Sequence, residues 1–228
     1  MIADILPAGV VAAESFGPPG DGRLFPAEAA AIATADPVRR AEFAAGRAVA
    51  RAALARMGVA AGPVLPGRAG EPRWPDGVVG SITHCAGYRA CAVAPARGMA
   101  AIGIDAEPCL TLADGLLAAV AGAAERAWLA ELGAASPGMP WDRLLFSAKE
   151  SVYKAWYVYT GRRPVLQNVT IQISAAGTFA AGLPHDRGAA PGSGRPAAAR
   201  AAAPPPARLT GRWLVGGGLI VTALTVPR

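Results

Sequence analysis

Cysteine is scarce in this 228-residue chain: three residues, Cys85, Cys91 and Cys109, an odd number without a C-x-x-C spacing. A disulfide-stapled secreted fold is thereby excluded, and free thiols in a reducing compartment are expected. A zinc site drawn from His84, Cys85, Cys91 and Cys109 lacks the paired ligand spacing such sites use. Aromatic residues make up only 6%, and the 53% hydrophobic content comes in large part from small alanine and says little about fold. No basic segment precedes Ile2, Ile5 and Leu6, and Asp4, Pro7 and Glu14 interrupt any apolar run, so no signal peptide is expected. The apolar stretch over 213–226 is too short to cross a bilayer and is divided by Gly216-Gly217-Gly218. It reads as two strands around a glycine turn. The expectation is a cytoplasmic protein without a membrane segment.

What is present is positive charge, +6 net and mostly arginine. A basic surface attracts nucleic acid, anionic lipid, a polyphosphate cofactor or an acidic protein, and composition does not choose among them. Three acidic residues are more specific. The apolar run before Asp105 in Ile102-Gly103-Ile104-Asp105-Ala106-Glu107-Pro108 predicts a strand, whose period of two places Asp105 and Glu107 on one face. In Phe146-Ser147-Ala148-Lys149-Glu150-Ser151-Val152-Tyr153-Lys154, Glu150 and Lys154 stand side by side at i,i+4 on a helix. Such oxygens suit a hard divalent cation, above all Mg2+, which takes few carboxylates and keeps places for phosphate. A neighbouring lysine can neutralise a departing phosphate. Each feature also has a plainer explanation. Asp105 and Glu107 could be a polar strand end, and Glu150 could close an S-x-x-E capping box or form a surface ion pair.

Along the chain, Asp36-Pro37 starts a helix that runs through Phe43, Ala50, Leu54 and Met57 to Gly58, with Arg40, Arg47 and Arg51 on one stripe. Residues 62–77 read as loop, and 78–82 and 90–94 as short strands flanking a turn at 84–88. Broken helix follows over 110–132. A second strong helix carries Trp141, Leu144, Leu145, Ala148, Val152, Ala155 and Trp156 as an apolar stripe, with Glu150 opposite and Gly161 as its stop. Residues 165–173 and 178–183 read as strands. Residues 184–207, nearly all Ala, Pro, Gly and Arg, read as a flexible insertion.

Four motifs taken together carry a resemblance: GIDAEP at 103–108, FSAKESVYKAW at 146–156, VGSITHCAGY at 79–88 and, more loosely, RRAEFAAGR at 39–47. In this order they resemble the 4'-phosphopantetheinyl transferases, in particular the monomeric branch serving siderophore, surfactin and polyketide synthesis, over about residues 35–175. The resemblance implies two similar α+β lobes related by a pseudo-two-fold, here 1–100 and 101–228, with coenzyme A in the cleft between them. It implies Asp105, Glu107 and Glu150 as ligands of Mg2+, with Mn2+ as the alternative ion. Glu150 would also act as general base, and Lys154 would contact the phosphates, with Lys149 a further candidate. His84, Arg39 and Arg47 would hold the 3'-phosphate of CoA, and Thr83 would lie near the diphosphate. Ala69 stands where many relatives carry a phosphate-binding lysine, with Arg68 beside it. The implied partner is an apo acyl or peptidyl carrier protein of fatty-acid, polyketide, peptide or siderophore assembly, an acidic helical bundle.

Two other classes compete. A basic nucleic-acid-binding module accounts for the arginine-bearing helix but leaves three carboxylates beside a phosphate groove. A catalytically silent carrier-binding relative would have no need of the acids or of Lys154.

Overall fold

The N-terminal half is organised by the helix that Asp36-Pro37 announces. Asp36 caps it by accepting the backbone N–H of Arg39 at 2.9 Å, and Pro37 occupies the first turn. The computed structural model, describing residues 1–20, 22–183 and 208–228, shows a mixed α+β fold. In order it contains β1 (Val11–Phe16), α1 (Pro26–Ala31), α2 (Pro37–Arg56), β2 (Leu65–Pro66), β3 (Pro72–Arg73), β4 (Val78–Cys85), β5 (Tyr88–Pro95) and β6 (Met99–Pro108). Then follow α3 (Leu116–Val120), α4 (Ala123–Ala135), α5 (Trp141–Thr160), β7 (Thr170–Ser174), β8 (Thr178–Gly182), β9 (Arg208–Gly216) and β10 (Leu219–Pro227). The insertion expected at 184–207 lies outside the described residues. Among the described residues no helix is long and apolar enough to cross a membrane.

One antiparallel sheet has the order β1-β5-β4 and a second the order β6-β10-β9-β8-β7. The change of sheet falls between β5 and β6, in the turn before Met99. Alternation sorts the strands into faces. On β5, Cys91 and Val93 pack with Val49, Ala50, Ala53 and Leu54 of α2, while Tyr88, Ala90, Ala92 and Ala94 face the second sheet. There they meet Ile102, Ile104 and Ala106 of β6 and Leu219 and Val221 of β10. The opposite face of the second sheet packs on α5, whose Leu144, Leu145, Ala148, Val152 and Ala155 are fully buried. Burying each leucine contributes about 2 kcal/mol.

Two details position the site. Gly103 of β6 lies against the α5 backbone, where any Cβ would collide with the Ser151 carbonyl. Strand and helix therefore approach more closely than side chains would allow. On its free edge β6 has no ladder partner among the described residues. Ser81 and Thr83 of β4 serve instead, their hydroxyls accepting from Ile104 N at 3.2 Å and Ala106 N at 3.0 Å. The two sheets are thus stitched where Asp105 sits.

Several boundaries differ from expectation. The 84–88 turn shrinks to two residues, because His84 pairs with Arg89 and Cys85 with Tyr88 in the β4–β5 ladder. Gly87, at φ 75°, supplies the left-handed turn position. The strand expected over 165–173 begins only at Thr170, after a 3-10 turn at Leu166–Asn168.

The chain start is held by Glu14, which accepts from the Met1 amine at 2.7 Å, Tyr88 Oη at 2.7 Å and Ile2 N at 3.1 Å. Burial alone would raise the Glu14 pKa, but these donors outweigh it and hold the carboxyl below its ordinary 4.5. Since the folded pKa is the lower one, this stabilisation is present above the unfolded value and is lost as pH falls through the folded value. Acid titration of Tm should therefore be shallower below pH 4.5 in Glu14→Gln than in the native chain; parallel curves would contradict this assignment.

Candidate active site

β6 delivers Asp105 and Glu107 on its α5-facing side, and α5 brings Glu150 and Lys154 against them. Asp105 is 5% exposed. Its Oδ1 accepts from Lys154 Nζ at 2.8 Å and from Thr83 Oγ1 at 3.3 Å, while its Oδ2 is buried without a partner among the described residues. Lys154 Nζ also donates to the Ile104 carbonyl at 3.0 Å and reaches Thr83 Oγ1 only at 3.5 Å. Glu107 Oε2 accepts from Arg143 Nη1 at 2.8 Å, and Arg143 spends its other donors on the carbonyls of Leu110 at 3.0 Å and Thr111 at 2.8 Å.

The charges of the three acids bear on one another. Burial pushes the Glu150 carboxyl above the ordinary range, Asp105 and Glu107 push it further, and Lys154 opposes them. Glu107 is raised likewise by burial and by Asp105, against Arg143 and Lys154. Three mutually repelling carboxylates, one with an orphaned buried oxygen, fit a bound cation. They do not yet converge into a ligand set: among the described residues no three acidic, histidine or cysteine side chains are gathered closely enough to hold an ion. Lys154 and Arg143 engage Asp105 and Glu107 separately. The capping-box explanation of Glu150 fails, because α5 begins nine residues earlier at Trp141.

Lys149 departs from expectation. It is fully buried, and its three protons go to Glu125 Oε2 at 2.6 Å, Val120 O at 2.7 Å and Leu166 O at 2.9 Å. With no donor left and no access to solvent, it is a structural pillar and leaves the list of phosphate contacts.

The basic residues gather on the α2 side of the three-stranded sheet. Arg39 is exposed, with Glu42 at 3.9 Å. Arg47 is 5% exposed; its Nε donates to Val64 O at 2.6 Å and its guanidinium lies 4.0 Å from the Phe43 ring centroid. Burial pushes its pKa down to about 10. Arg51, on the same stripe, is no solvated side chain: it pairs at 3.1 Å with Glu28, which is completely buried. His84 stands at the end of β4 rather than in a turn. Partial burial lowers its pKa first, and the cations Arg39, Lys154 and Arg89 lower it further against Glu42. Arg68 lies on the loop joining β2 and β3, and its charge is felt at Tyr157 of α5.

Sequence reasoning missed Arg143 and Arg89. The only local hint for Arg143 was its place in the first turn of the helix that carries Glu150. All three cysteines are free. A cavity of about 570 Å3, on the second sheet between Ile5, Gln172, Thr210 and Arg212, contains none of these residues.

The comparisons bear on the whole chain. The sequence model of the 4'-phosphopantetheinyl transferase N-terminal domain matches residues 27–94, and that of the 4'-phosphopantetheinyl transferase superfamily matches residues 101–196. The 4'-phosphopantetheinyl transferase Svp of Streptomyces mobaraensis is 49% identical over 236 aligned positions, covering 99% of this chain and 89% of the relative. Npt of Nocardia iowensis is 41% identical, covering 98% and 99%, and PptT of Mycobacterium tuberculosis is 40% identical, covering 99% and 98%. Both carry the same enzyme name. With both halves matched in order and likeness sustained along nearly the full length, the chain belongs to the 4'-phosphopantetheinyl transferase family.

Proposed function

We propose that this protein moves the 4'-phosphopantetheine arm of coenzyme A onto a serine hydroxyl of an apo acyl or peptidyl carrier protein, releasing 3',5'-ADP. The observation that carries this reading is Asp105, with one oxygen on Lys154 and the other buried and unpartnered, beside two carboxylates of raised pKa. Asp105, Glu107 and Glu150 would hold Mg2+, with Mn2+ accepted by the same oxygens, and the ion would draw charge from the diphosphate of CoA.

The chain's own groups do the rest. The raised pKa of Glu150 suits a general base that takes the serine proton, directly or through one water, as the hydroxyl oxygen attacks the phosphorus bearing the pantetheine arm. The phosphorus–oxygen bond to the 3',5'-ADP portion breaks, and Lys154, whose contact to Thr83 is long, turns a proton toward the leaving phosphate. Thr83 keeps Asp105 oriented through its own hydroxyl. Arg39, Arg47 and His84 grip the 3'-phosphate, a dianion suited to guanidinium forks. Positioning and charge neutralisation supply most of the acceleration. The two lobes would be related by a pseudo-two-fold, and the protein would act as a cytoplasmic monomer. A nucleic-acid role leaves the repelling acids without a purpose.

Incubation with CoA, Mg2+ and several apo carrier proteins should add the mass of the arm to one of them. No addition to any carrier, with CoA bound, would instead favour a silent carrier-binding relative. A second expectation concerns protons. A phosphate dianion beside His84 opposes the burial and cationic neighbours that depress its pKa, so CoA binding should take up a proton near this group. Affinity for CoA should then rise as pH falls through the raised value in the complex. NMR titration of the His84 ring with and without CoA measures the shift, and an unmoved His84 would remove it from the phosphate site.

A further inference from the structure

Arg89 is a buried cation without a part in the mechanism. It is 4% exposed. Its Nη1 donates to the Gly17 carbonyl at 2.6 Å, but its Nε–H is buried with no acceptor among the described residues. A charged donor withdrawn from water and left without a partner is costly, and buried polar groups of this kind call for an explanation. Its surroundings supply one. Arg89 stands directly opposite His84 in the β4–β5 ladder, and opposed residues of an antiparallel pair project from the same face. That face is the one covered by α2, since Cys91 and Val93, alternating with Arg89 along β5, pack on it. Its charge is felt at His84 together with those of Arg39 and Lys154. The charges of three cations thus bear on one imidazole, with Glu42 opposing them.

We propose that Arg89 forms the floor of the pocket for the 3'-phosphate of CoA, its unpartnered Nε–H meeting a phosphate-ester oxygen between His84 and Arg39. This rests on the reading that His84 and Arg39 receive that phosphate. The Gly17 bond anchors the guanidinium from behind. The charge is therefore fixed in place before the ligand arrives, whereas exposed Arg39 must be ordered on binding. Arg89 confers selectivity for the phosphorylated ribose rather than general affinity for adenine or pantetheine.

The experiment measures dissociation constants of CoA and dephospho-CoA by calorimetry for the native protein, Arg89→Met and Arg89→Lys, each with its thermal midpoint. The native protein should prefer CoA, Arg89→Met should narrow that preference by about tenfold while moving dephospho-CoA less than about twofold, and Arg89→Lys should restore part of it. Equal weakening of both ligands would make Arg89 a structural support of the Gly17 loop and overturn the proposal. An unchanged preference in the variants would overturn it as well. If Arg89→Met does not fold, the Nε–H resonance of Arg89 in the native protein decides: it should move with CoA and stay with dephospho-CoA, and no movement with CoA overturns the proposal. A native protein that binds both ligands equally would show that the parent reading of Arg39 and His84 has failed, and this one with it. Discrimination retained by the native protein but indifferent to Arg89 would sink only the latter.

Discussion

Replacing Asp105 with Asn should lower arm transfer by about two to three orders of magnitude, the scale on which one well-placed electrostatic partner contributes to a transition state. The substitution is chosen to separate chemistry from architecture. An amide oxygen can still accept from Lys154 and Thr83, so the contacts at 2.8 Å and 3.3 Å survive in kind. What is lost is the negative charge at the buried oxygen that has no partner among the described residues. The thermal midpoint should stay within a few degrees, CoA should still bind, and Mn2+ affinity measured by electron paramagnetic resonance should fall. Asp105→Ala should be equally inactive but less stable, because the Lys154 ammonium and the Thr83 hydroxyl lose their shared acceptor. Turnover of Asp105→Asn within threefold of native would detach this carboxylate from the reaction, whatever the metal data showed.

The largest effect on stability is expected at Lys149. Its ammonium is enclosed by Glu125 at 2.6 Å and two backbone carbonyls, those of Val120 and Leu166. Removing one partner of a buried pair is destabilising by about 3–5 kcal/mol, because the surviving charge has neither water nor counter-ion. Lys149→Met should cost this much. The double change Lys149→Met with Glu125→Leu should recover part of the loss, since it removes the stranded carboxylate together with the lysine. Urea unfolding of the three variants measures the coupling. A phosphate contact would behave differently: Lys149→Met would then keep its midpoint and lose affinity for CoA. That outcome would return Lys149 to the ligand list.

Local chemistry explains what could be read in advance. The start of α2 was legible because a capping aspartate and a first-turn proline act within four residues of chain. The stripe of α5, the shared face of Asp105 and Glu107, and the C-terminal hairpin follow from periodicity in the same way. Long-range partners explain what was missed. Lys149 and Glu150 are neighbours in sequence, separated by about 100° on the helix. Only the chain that lies over α5 from Val120 and Leu166 decides that one turns inward and the other toward the acids. The same event ended the expected strand at 165–173: the Leu166 carbonyl serves Lys149, and pairing with β8 begins only at Thr170. The separate cations on Asp105 and Glu107 depend on Arg143 reaching back 36 positions and Lys154 reaching back 49, distances that no local pattern encodes. The shape of α5 could be read, but what its polar face touches could not.

The place of β10 between β6 and β9 has a consequence for how the protein is made. The strands of the first sheet have all emerged from the ribosome once Pro95 is free, and that sheet can close early. β6 cannot: its ladder neighbour is β10, with Asp105 opposite Thr222, more than a hundred residues later. Until residues 219–227 are synthesised, the strand that bears the acidic pair has an open edge on that side, and the face that will receive α5 is only half built. A nascent chain can therefore display its arginine-bearing helix, and with it a tendency to collect polyphosphates, well before it has a geometry able to react with them. Catalytic competence should appear in a single late step, coupled to docking of the last hairpin, and a chain interrupted before Leu219 should bind without turning over.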